Sequence, residues 1–289
     1  MIRILEYGVV RLLILLLGLF PYRSAVAFGR MLGRLAHVTC RSLRRRTMSN
    51  LRLAYGDRLS RPQAEAIARD AFDVLGRNIV EVAHMAHRAD LGKDLEIVNA
   101  SLLRDAYEGG KGVVLVSAHM GCFARMAAIP FLLGMKGASI MKKQKNWRLL
   151  DWARGFLKRR MDLDVILKPD APQEMAEHFH HGSLVGFFAD QHPRSGGVPA
   201  MFFDQPVLAA AGPAICARRY HAPMVVLTLD SRPDGTHTCI VDKVDTGGSV
   251  REVTQRWTSV IEARIREHPG QWMWMHRRWR GFDLAPAAT

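Results

Sequence analysis

The feature that most constrains the fold of this chain is an alternation of short apolar segments with longer helical ones. Five segments are short and apolar enough to be buried strands: Gly112 to Ala118, Ala138 to Met141, Asp164 to Leu167, Leu184 to Ala189 and Met224 to Leu229. Strands that alternate with helices form βαβ units, in which the strands run parallel. We therefore predict an α/β fold with a mostly parallel central sheet flanked by helices.

Capping residues mark the starts of the predicted helices. Ser60 and Gln63 form a capping box, a hydroxyl followed three residues later by an amide, ahead of a helix with one apolar face. The other predicted elements are a helix over Trp147 to Arg160 capped by Asn146, a helix capped by Asp170, a strand over Thr236 to Val241 and a helix over Val250 to Glu267. No repeat or linker divides residues 60 to 282.

Charge points to an anionic partner. Lys and Arg total 41 against 27 Asp and Glu, which gives a formal charge of +14 over 289 residues. Such a surface favours nucleic acid, phospholipid head groups or a phosphorylated substrate. Nucleic-acid binding would also require basic residues interleaved with exposed aromatics, or a zinc-finger or RNA-binding motif, and the sequence has neither. We therefore predict no nucleic-acid partner.

The cysteines and histidines indicate neither a metal nor a disulfide framework. The four cysteines lie far apart and form no Cys-x-x-Cys pair, so a reducing, cytoplasm-facing environment fits best. His178, His180 and His181 lie at the end of a predicted helix, where histidine favours the helix dipole. No metal is predicted at either set of residues.

A short apolar run, Leu12 to Phe20, dominates the N-terminus. Its nine residues are about half of the roughly 20 that a spanning helix needs, and Arg11 blocks its extension. The basic segment Arg41 to Arg46 suits an anionic cytoplasmic leaflet. We predict an uncleaved hydrophobic membrane anchor over residues 1–40, in or across the inner leaflet, and an α/β domain over residues 41–289. The alternative is a buried N-terminal helix in a soluble protein.

Polar side chains follow three of the predicted strands. His119 comes directly after Gly112 to Ala118, where an α/β enzyme would hold a general base. Asp190 and Gln191 follow the Leu184 to Ala189 strand. Lys142 and Asn146 follow the Ala138 to Met141 strand, where they suit phosphate binding or a solvated helix start. Because ligands bind at the carboxyl ends of parallel strands, these side chains are candidates for one site.

Four segments occur in the order found in a known family: Arg45 to Leu51, His119-Met120-Gly121, Asp190-Gln191 with the downstream Gly196 to Phe203 and Pro206, and Gln271 to Trp279. From about Arg45 to Arg278 the chain resembles the bacterial lipid A late acyltransferases, a branch of the lysophospholipid acyltransferase superfamily. The resemblance implies transfer of a fatty acyl chain from an acyl carrier protein or CoA thioester to an anionic lipid or glycolipid acceptor. It also implies that the protein lies on the cytoplasmic side of a bacterial inner membrane and that it uses no metal or redox cofactor.

The resemblance also implies roles for individual residues. His119 would be the catalytic base. Contacts with substrate would come from Gly121, Lys142, Asn146, Asp190, Gln191 and Arg277. Backbone N–H groups near Gly121 and Cys122, or a basic side chain, would stabilise the oxyanion. The tryptophans Trp272, Trp274 and Trp279 would lie either at the lipid interface or in a packed C-terminal strand.

One half of the family's catalytic pair is missing. In the family the histidine is followed five residues later by an acid, and in this chain that position is Ala124. Either Glu81 or Asp190 takes over as the acid that orients His119, or the enzyme works without one at a reduced rate. The remaining alternative is an attenuated or inactive relative that binds lipid or a protein partner.

Overall fold

The computed structural model describes residues 2–87, 90–168 and 171–280. The α-helices in these ranges are α1 (Ile2–Leu19), α2 (Tyr22–Thr39), α3 (Arg41–Tyr55), α4 (Arg61–His87), α5 (Ala100–Glu108), α6 (Ile129–Leu132), α7 (Trp147–Met161), α8 (Ala171–His180), α9 (Gly212–Arg219) and α10 (Val250–Glu267). The strands are β1 (Leu95–Val98), β2 (Val113–Ser117), β3 (Gly137–Lys142), β4 (Leu163–Lys168), β5 (Leu184–Phe188), β6 (Gly197–Phe202), β7 (Gln205–Ala210), β8 (Met224–Ser231) and β9 (His237–Val244).

Seven strands form the central sheet, in the order β1-β9-β8-β2-β5-β3-β4. All neighbours are parallel except β8 and β9, which are antiparallel. The predicted α/β fold with a mostly parallel sheet is therefore confirmed. All six predicted strands are present, with their ends shifted by at most three residues.

The capping predictions can be checked wherever the residues are described. Ser60 and Gln63 exchange the two hydrogen bonds of a capping box, and the Asn146 side chain accepts a hydrogen bond from the backbone N–H of Arg148. Helix α10 has the predicted ends. The predicted cap Asp170 lies outside the described residues. Sequence analysis missed β1, and it missed the β6–β7 hairpin, whose first strand contains Pro199.

The central sheet is buried on both faces. Alternate residues of β2 point to opposite sides: Val114 and Val116 pack in one apolar cluster, and Val113 and Leu115 pack in another. The first cluster includes Phe72 of α4 and residues of α10, and the second includes Leu103 of α5. Burial on both sides explains why β2 is apolar throughout instead of alternating.

The N-terminal helices lie against α4 through close backbone contact. A Cβ atom added at Gly76 of α4 would lie 2.0 Å from the carbonyl oxygen of Gly29 on α2, and one at Gly33 would lie 2.1 Å from the carbonyl oxygen of Phe72. Only glycine permits so close an approach of two helix backbones. Among the described residues, no helix has the length and apolar character needed to cross a membrane.

Candidate active site

The strand register places His119 and Asp190 side by side. Strands β2 and β5 pair in parallel with Ser117 opposite Phe188. His119 and Asp190 each come two residues after these partners, so they leave the sheet at the same edge and the same level. This is the carboxyl edge, where α/β proteins bind their ligands.

The Asp190 carboxylate holds both the ring and the backbone of His119. Its Oδ1 lies 2.8 Å from His119 Nδ1, and its Oδ2 accepts a 2.9 Å hydrogen bond from the His119 backbone N–H. A third hydrogen bond, 2.8 Å long, reaches Oδ2 from Trp272 Nε1. The Asp190 side chain is only 2% exposed, whereas that of His119 is 18% exposed. The imidazole is therefore held from the protein side and remains partly accessible to solvent.

These contacts set the protonation states. Burial raises the pKa of Asp190, but the charge and hydrogen bonds of His119, together with the Trp272 donor, outweigh burial and lower that pKa below its ordinary value. An ionised carboxylate can only accept hydrogen bonds, so the His119 proton lies on Nδ1. The lone pair of Nε2 is consequently free to accept a proton, as a general base requires.

Aromatic rings and an amide surround the His119 imidazole. The ring centres of Phe123 and Phe188 lie 4.8 and 4.9 Å from its centre. The Gln191 amide nitrogen lies 3.4 Å from His119 Nδ1 and 3.5 Å from Nε2. Of the predicted substrate-binding residues, Asp190 and Gln191 are thus the two that the structure brings to the His119 ring.

Gly121 shapes the loop after His119. Its φ is +60°, and an added Cβ would lie 2.2 Å from the carbonyl oxygen of Leu229. Its N–H donates to the Gln271 carbonyl at 2.8 Å, and the N–H of Cys122 donates to Ser231 Oγ at 2.8 Å. Both N–H groups, which we considered as oxyanion donors beside a basic side chain, therefore have acceptors within the protein.

Glu81, the other carboxylate considered for His119, belongs to a buried network elsewhere. Its side chain is 1% exposed, accepts a 3.1 Å hydrogen bond from Arg125 and lies 3.3 Å from His237 Nε2. The hydroxyl of Tyr22 donates to the same carboxylate. Burial raises the pKa of Glu81, but His237, Arg125 and Tyr22 together lower it to about 2. Asp190, not Glu81, is therefore the carboxylate at His119.

The Glu81 network reaches the loop after His119. Arg125 also donates to the carbonyl oxygens of Leu91 and Lys93, at 3.0 and 2.8 Å. His237 Nδ1 lies 2.8 Å from Ser231 Oγ, the atom that accepts the Cys122 N–H. We refer to Tyr22, Glu81, Arg125, Ser231 and His237 as the Glu81 network. Sequence analysis missed Arg125 and His237, because nothing in their spacing marks a contact between segments so far apart.

Ala124, the position of the absent motif acid, packs against apolar side chains. It lies in a 3₁₀ turn over Phe123–Ala128 and packs against a buried cluster that includes Met85 and Met161, as Phe156 also does. A carboxylate there would face apolar groups on that side.

The other predicted substrate residues are placed differently. Lys142 is exposed at the end of β3, at the same edge of the sheet as His119. Asn146 is buried, and its amide donates to the Arg3 carbonyl at 2.8 Å and to Glu6 Oε2 at 3.0 Å, which holds α1 against the start of α7. Arg277 is exposed, whereas its neighbour Arg278 is buried and donates to the Leu208 carbonyl.

The C-terminal tryptophans form part of the core. Trp272, Trp274 and Trp279 are each at most 2% exposed and pack with Phe202 and Phe203. The expectation that they lie at a lipid interface is wrong. The alternative of a packed C-terminal strand is correct for the packing but not for the strand. The segment forms only one isolated β-bridge among the described residues, between Trp272 and Met120.

Fold and site together define an α/β protein with a His–Asp pair at the carboxyl edge of a mostly parallel sheet. The chain belongs to the family described as bacterial lipid A biosynthesis acyltransferases, whose profile matches residues 1–281. The predicted family is thereby confirmed, and membership supports an acyltransferase. The lipid A biosynthesis lauroyltransferase of Escherichia coli (strain K12) is 23% identical over 271 residues, covering 90% of this chain and 86% of that protein. The phosphatidylinositol mannoside acyltransferase of Mycolicibacterium smegmatis (strain ATCC 700084 / mc(2)155) is 25% identical over 198 residues, covering 65% and 64%.

Proposed function

We propose that this protein transfers a fatty acyl chain from a thioester to a hydroxyl of an anionic lipid or glycolipid, with His119 as the base and Asp190 as the acid that orients it. The single observation that carries the proposal is the 2.8 Å contact between His119 Nδ1 and the buried Asp190 carboxylate. Asp190 thereby gives His119 the carboxylate partner that Ala124 cannot provide. For that reason we favour an active enzyme over an attenuated relative.

The proposed reaction follows from this geometry. His119 Nε2 takes the proton of the acceptor hydroxyl as its oxygen forms a bond to the thioester carbonyl carbon. Asp190 stabilises the imidazolium that results. When the tetrahedral intermediate collapses, the C–S bond breaks and Nε2 returns the proton to the leaving thiolate. No step calls for a metal or a redox cofactor.

Two further features fit this chemistry. The Gln191 amide lies beside both ring nitrogens of His119, so we assign it to the oxyanion in place of the occupied N–H groups of Gly121 and Cys122. A small cavity of about 40 Å³ is lined by Phe188, whose ring packs on His119, and by Met126 and Leu184. We assign it to the start of the acyl chain.

For the acceptor we favour a phosphate-bearing lipid. Lys142, Lys143, Lys145 and Arg148 are exposed just beyond β3, at the His119 edge of the sheet. Ammonium and guanidinium groups bind phosphate well. Both relatives are named as lipid acyltransferases, one for lipid A biosynthesis and one for a phosphatidylinositol mannoside. The donor would be an acyl carrier protein or CoA thioester.

The direct test is an acyl-transfer assay on the full chain. Thiol release from acyl carrier protein and CoA thioesters is followed with a host lipid extract as acceptor, and the lipid product is identified by mass spectrometry. We expect release that depends on the extract and matches acylated lipid in amount. Lipid binding without turnover would instead support the attenuated relative.

We further propose that the protein works at the cytoplasmic face of a bacterial inner membrane. Helix α1 leaves large apolar side chains exposed on its outer surface, among them Leu5, Leu12, Leu16 and Leu19. So large an exposed apolar surface is typical of a protein or membrane contact, and the arginines of α2 and α3 suit anionic head groups. The division into a membrane anchor over residues 1–40 and an α/β domain over residues 41–289 remains a prediction.

Replacing Leu12 and Leu16 with Gln should weaken this membrane contact. Flotation with vesicles of phosphatidylglycerol and phosphatidylcholine should recover about tenfold less of the double variant than of the parent chain, because less apolar area enters the interface. Replacing Ser101 and Arg104, exposed on α5, with Gln serves as the control and should leave flotation unchanged. Equal recovery of the Leu12 and Leu16 variant would refute contact through α1.

Restoring an acid at residue 124 should lower stability. Ala124→Glu places a carboxylate against the cluster of Met85 and Phe156, so we expect the free energy of unfolding to fall by about 1–3 kcal/mol. Urea unfolding measures the change, with Ala124→Leu as a control for size without charge. A more stable Glu variant would mean that this position is built for an acid.

A further inference from the structure

A further cavity lies away from His119. A groove of about 640 Å³ runs between α1, α4 and α7. Its apolar walls include Leu12 and Leu15 of α1, Ala86 of α4, and the stacked rings of Trp152 and Phe156 on α7. This volume falls within the range of about 300–1,000 Å³ usual for ligand sites.

The groove is apolar inside and cationic at its rim. The guanidinium of Arg11 lies 5.1 Å from the centre of the Trp152 ring, and Arg159 lines the same opening. Arg11 donates a 3.3 Å hydrogen bond to the Tyr7 hydroxyl, and none of the described residues that line the groove is acidic. A ligand that matches such walls has a hydrocarbon chain and an anionic head.

The position of the groove identifies the source of that ligand. The outer face of α1 carries the exposed leucines that we assign to the membrane, and its Arg11 interrupts the apolar run. A charge so placed is costly inside a bilayer, but on α1 it lies against Trp152 of α7, at the mouth of the groove. The membrane that contacts α1 is therefore the nearest source of a lipid for the groove.

We propose that this groove binds one anionic phospholipid of the bilayer, with its phosphate between Arg11 and Arg159 and an acyl chain along Leu12, Leu15 and Phe156. The lipid would be a resident one that secures α1 against α7. This inference rests on the membrane contact proposed above and not on the acyl-transfer reaction.

The groove is separate from the candidate active site. Phe156 and Ala124 pack against the same buried cluster, which includes Met85 and Met161, but neither His119 nor Asp190 lines the groove. None of the groove residues lines either cavity beside His119. A lipid held here should accordingly not compete with the acyl donor or with the acceptor.

The test uses Trp152 as a reporter in detergent micelles, which removes bulk membrane binding from the measurement. The full chain is titrated with brominated phosphatidylglycerol, with brominated phosphatidylcholine as the neutral comparison. The signal is the quenching of the full chain minus that of a Trp152→Phe variant, so the other five tryptophans cancel. We expect saturable quenching by phosphatidylglycerol at a mole fraction at least about tenfold below that of phosphatidylcholine.

Two variants and one control define the outcome. Arg11→Gln with Arg159→Gln should raise the half-saturating mole fraction of phosphatidylglycerol about tenfold to thirtyfold. Ala86→Phe should abolish saturation, because the phenyl ring fills the groove while both arginines are retained. This variant keeps the test valid if the first one misfolds. Arg104→Gln with Arg251→Gln makes the same charge change at exposed sites on other helices and should have no effect.

Three results would overturn the proposal. Equal quenching by both lipids would show simple partition, and an equal shift in the control variant would show a general effect of surface charge. Competition between phosphatidylglycerol and the acyl thioester or the acceptor would show that the groove is a substrate site. Failure of the protein to float with vesicles would contradict the membrane as the source of the lipid, but not the acyl-transfer reaction. The micelle titration would still measure lipid binding in the groove.

Discussion

Replacing Asp190 with Asn should lower kcat for acyl transfer by about 10,000-fold. The carboxylate holds the His119 proton on Nδ1 through the 2.8 Å contact. An Asn amide that donated to Nδ1 would move the proton to Nε2 and remove the base, while the ring stayed in place. His119→Ala should cost a similar factor. The double variant should be little worse than either, because the two residues act as a unit.

A second His–Asp pair provides the control. His178 Nε2 lies 3.9 Å from the half-exposed Asp164, away from the candidate site. The substitutions His178→Ala and Asp164→Asn repeat the same chemical changes and should leave kcat within about twofold of the parent. Single-turnover thiol release on protein checked for folding by circular dichroism makes the comparison. Equal losses in both pairs would refute a special role for His119 and Asp190.

Replacing Arg125 with Met should lower the free energy of unfolding by about 3–5 kcal/mol. The Arg125 and Glu81 side chains are 2% and 1% exposed, so the change leaves a buried carboxylate without its guanidinium partner. It also leaves the Leu91 and Lys93 carbonyls without their donor. The Cys122 N–H is linked to the same network, so the loop after His119 should loosen as well.

The exposed Lys158 offers a matched comparison. It pairs with Asp162 at 2.7 Å and with Asp164 at 3.0 Å, and all three side chains are about half exposed. Since exposed ion pairs contribute little, Lys158→Met should change the free energy of unfolding by less than about 1 kcal/mol. Urea unfolding of both variants measures the difference, and similar values would mean that the Glu81 network does not hold the fold.

Much of the fold follows from local patterns. Strands β2 to β5, β8 and β9 are apolar runs bounded by turns, and the Ser60 and Asn146 caps mark two helix starts, so periodicity and capping suffice to find them. The β6–β7 hairpin escapes because it lies outside the main sheet and contains Pro199. The antiparallel pairing of β9 with β8 depends on tertiary contacts that no local pattern encodes.

The candidate site was predictable only in part. His119 and Asp190 each follow a buried strand, so sequence analysis could name both, but it left Glu81 and Asp190 as equal candidates. What separates them is the neighbour relation of β2 and β5 and the burial of Arg125 beside Glu81. Both depend on the order of strands in the sheet. The Trp272 donor to Asp190 depends likewise on the path of the C-terminal segment.

The measurement that tests the central claim most directly is the rate of acyl transfer by the chain as it stands compared with its Ala124→Glu variant. The account predicts that the parent chain turns over and that the variant is no faster, because Asp190 already supplies the carboxylate that the motif position lacks. If only Ala124→Glu turned over, the fold would be competent but the native site inactive. The proposal of a His119–Asp190 catalytic pair would then be contradicted.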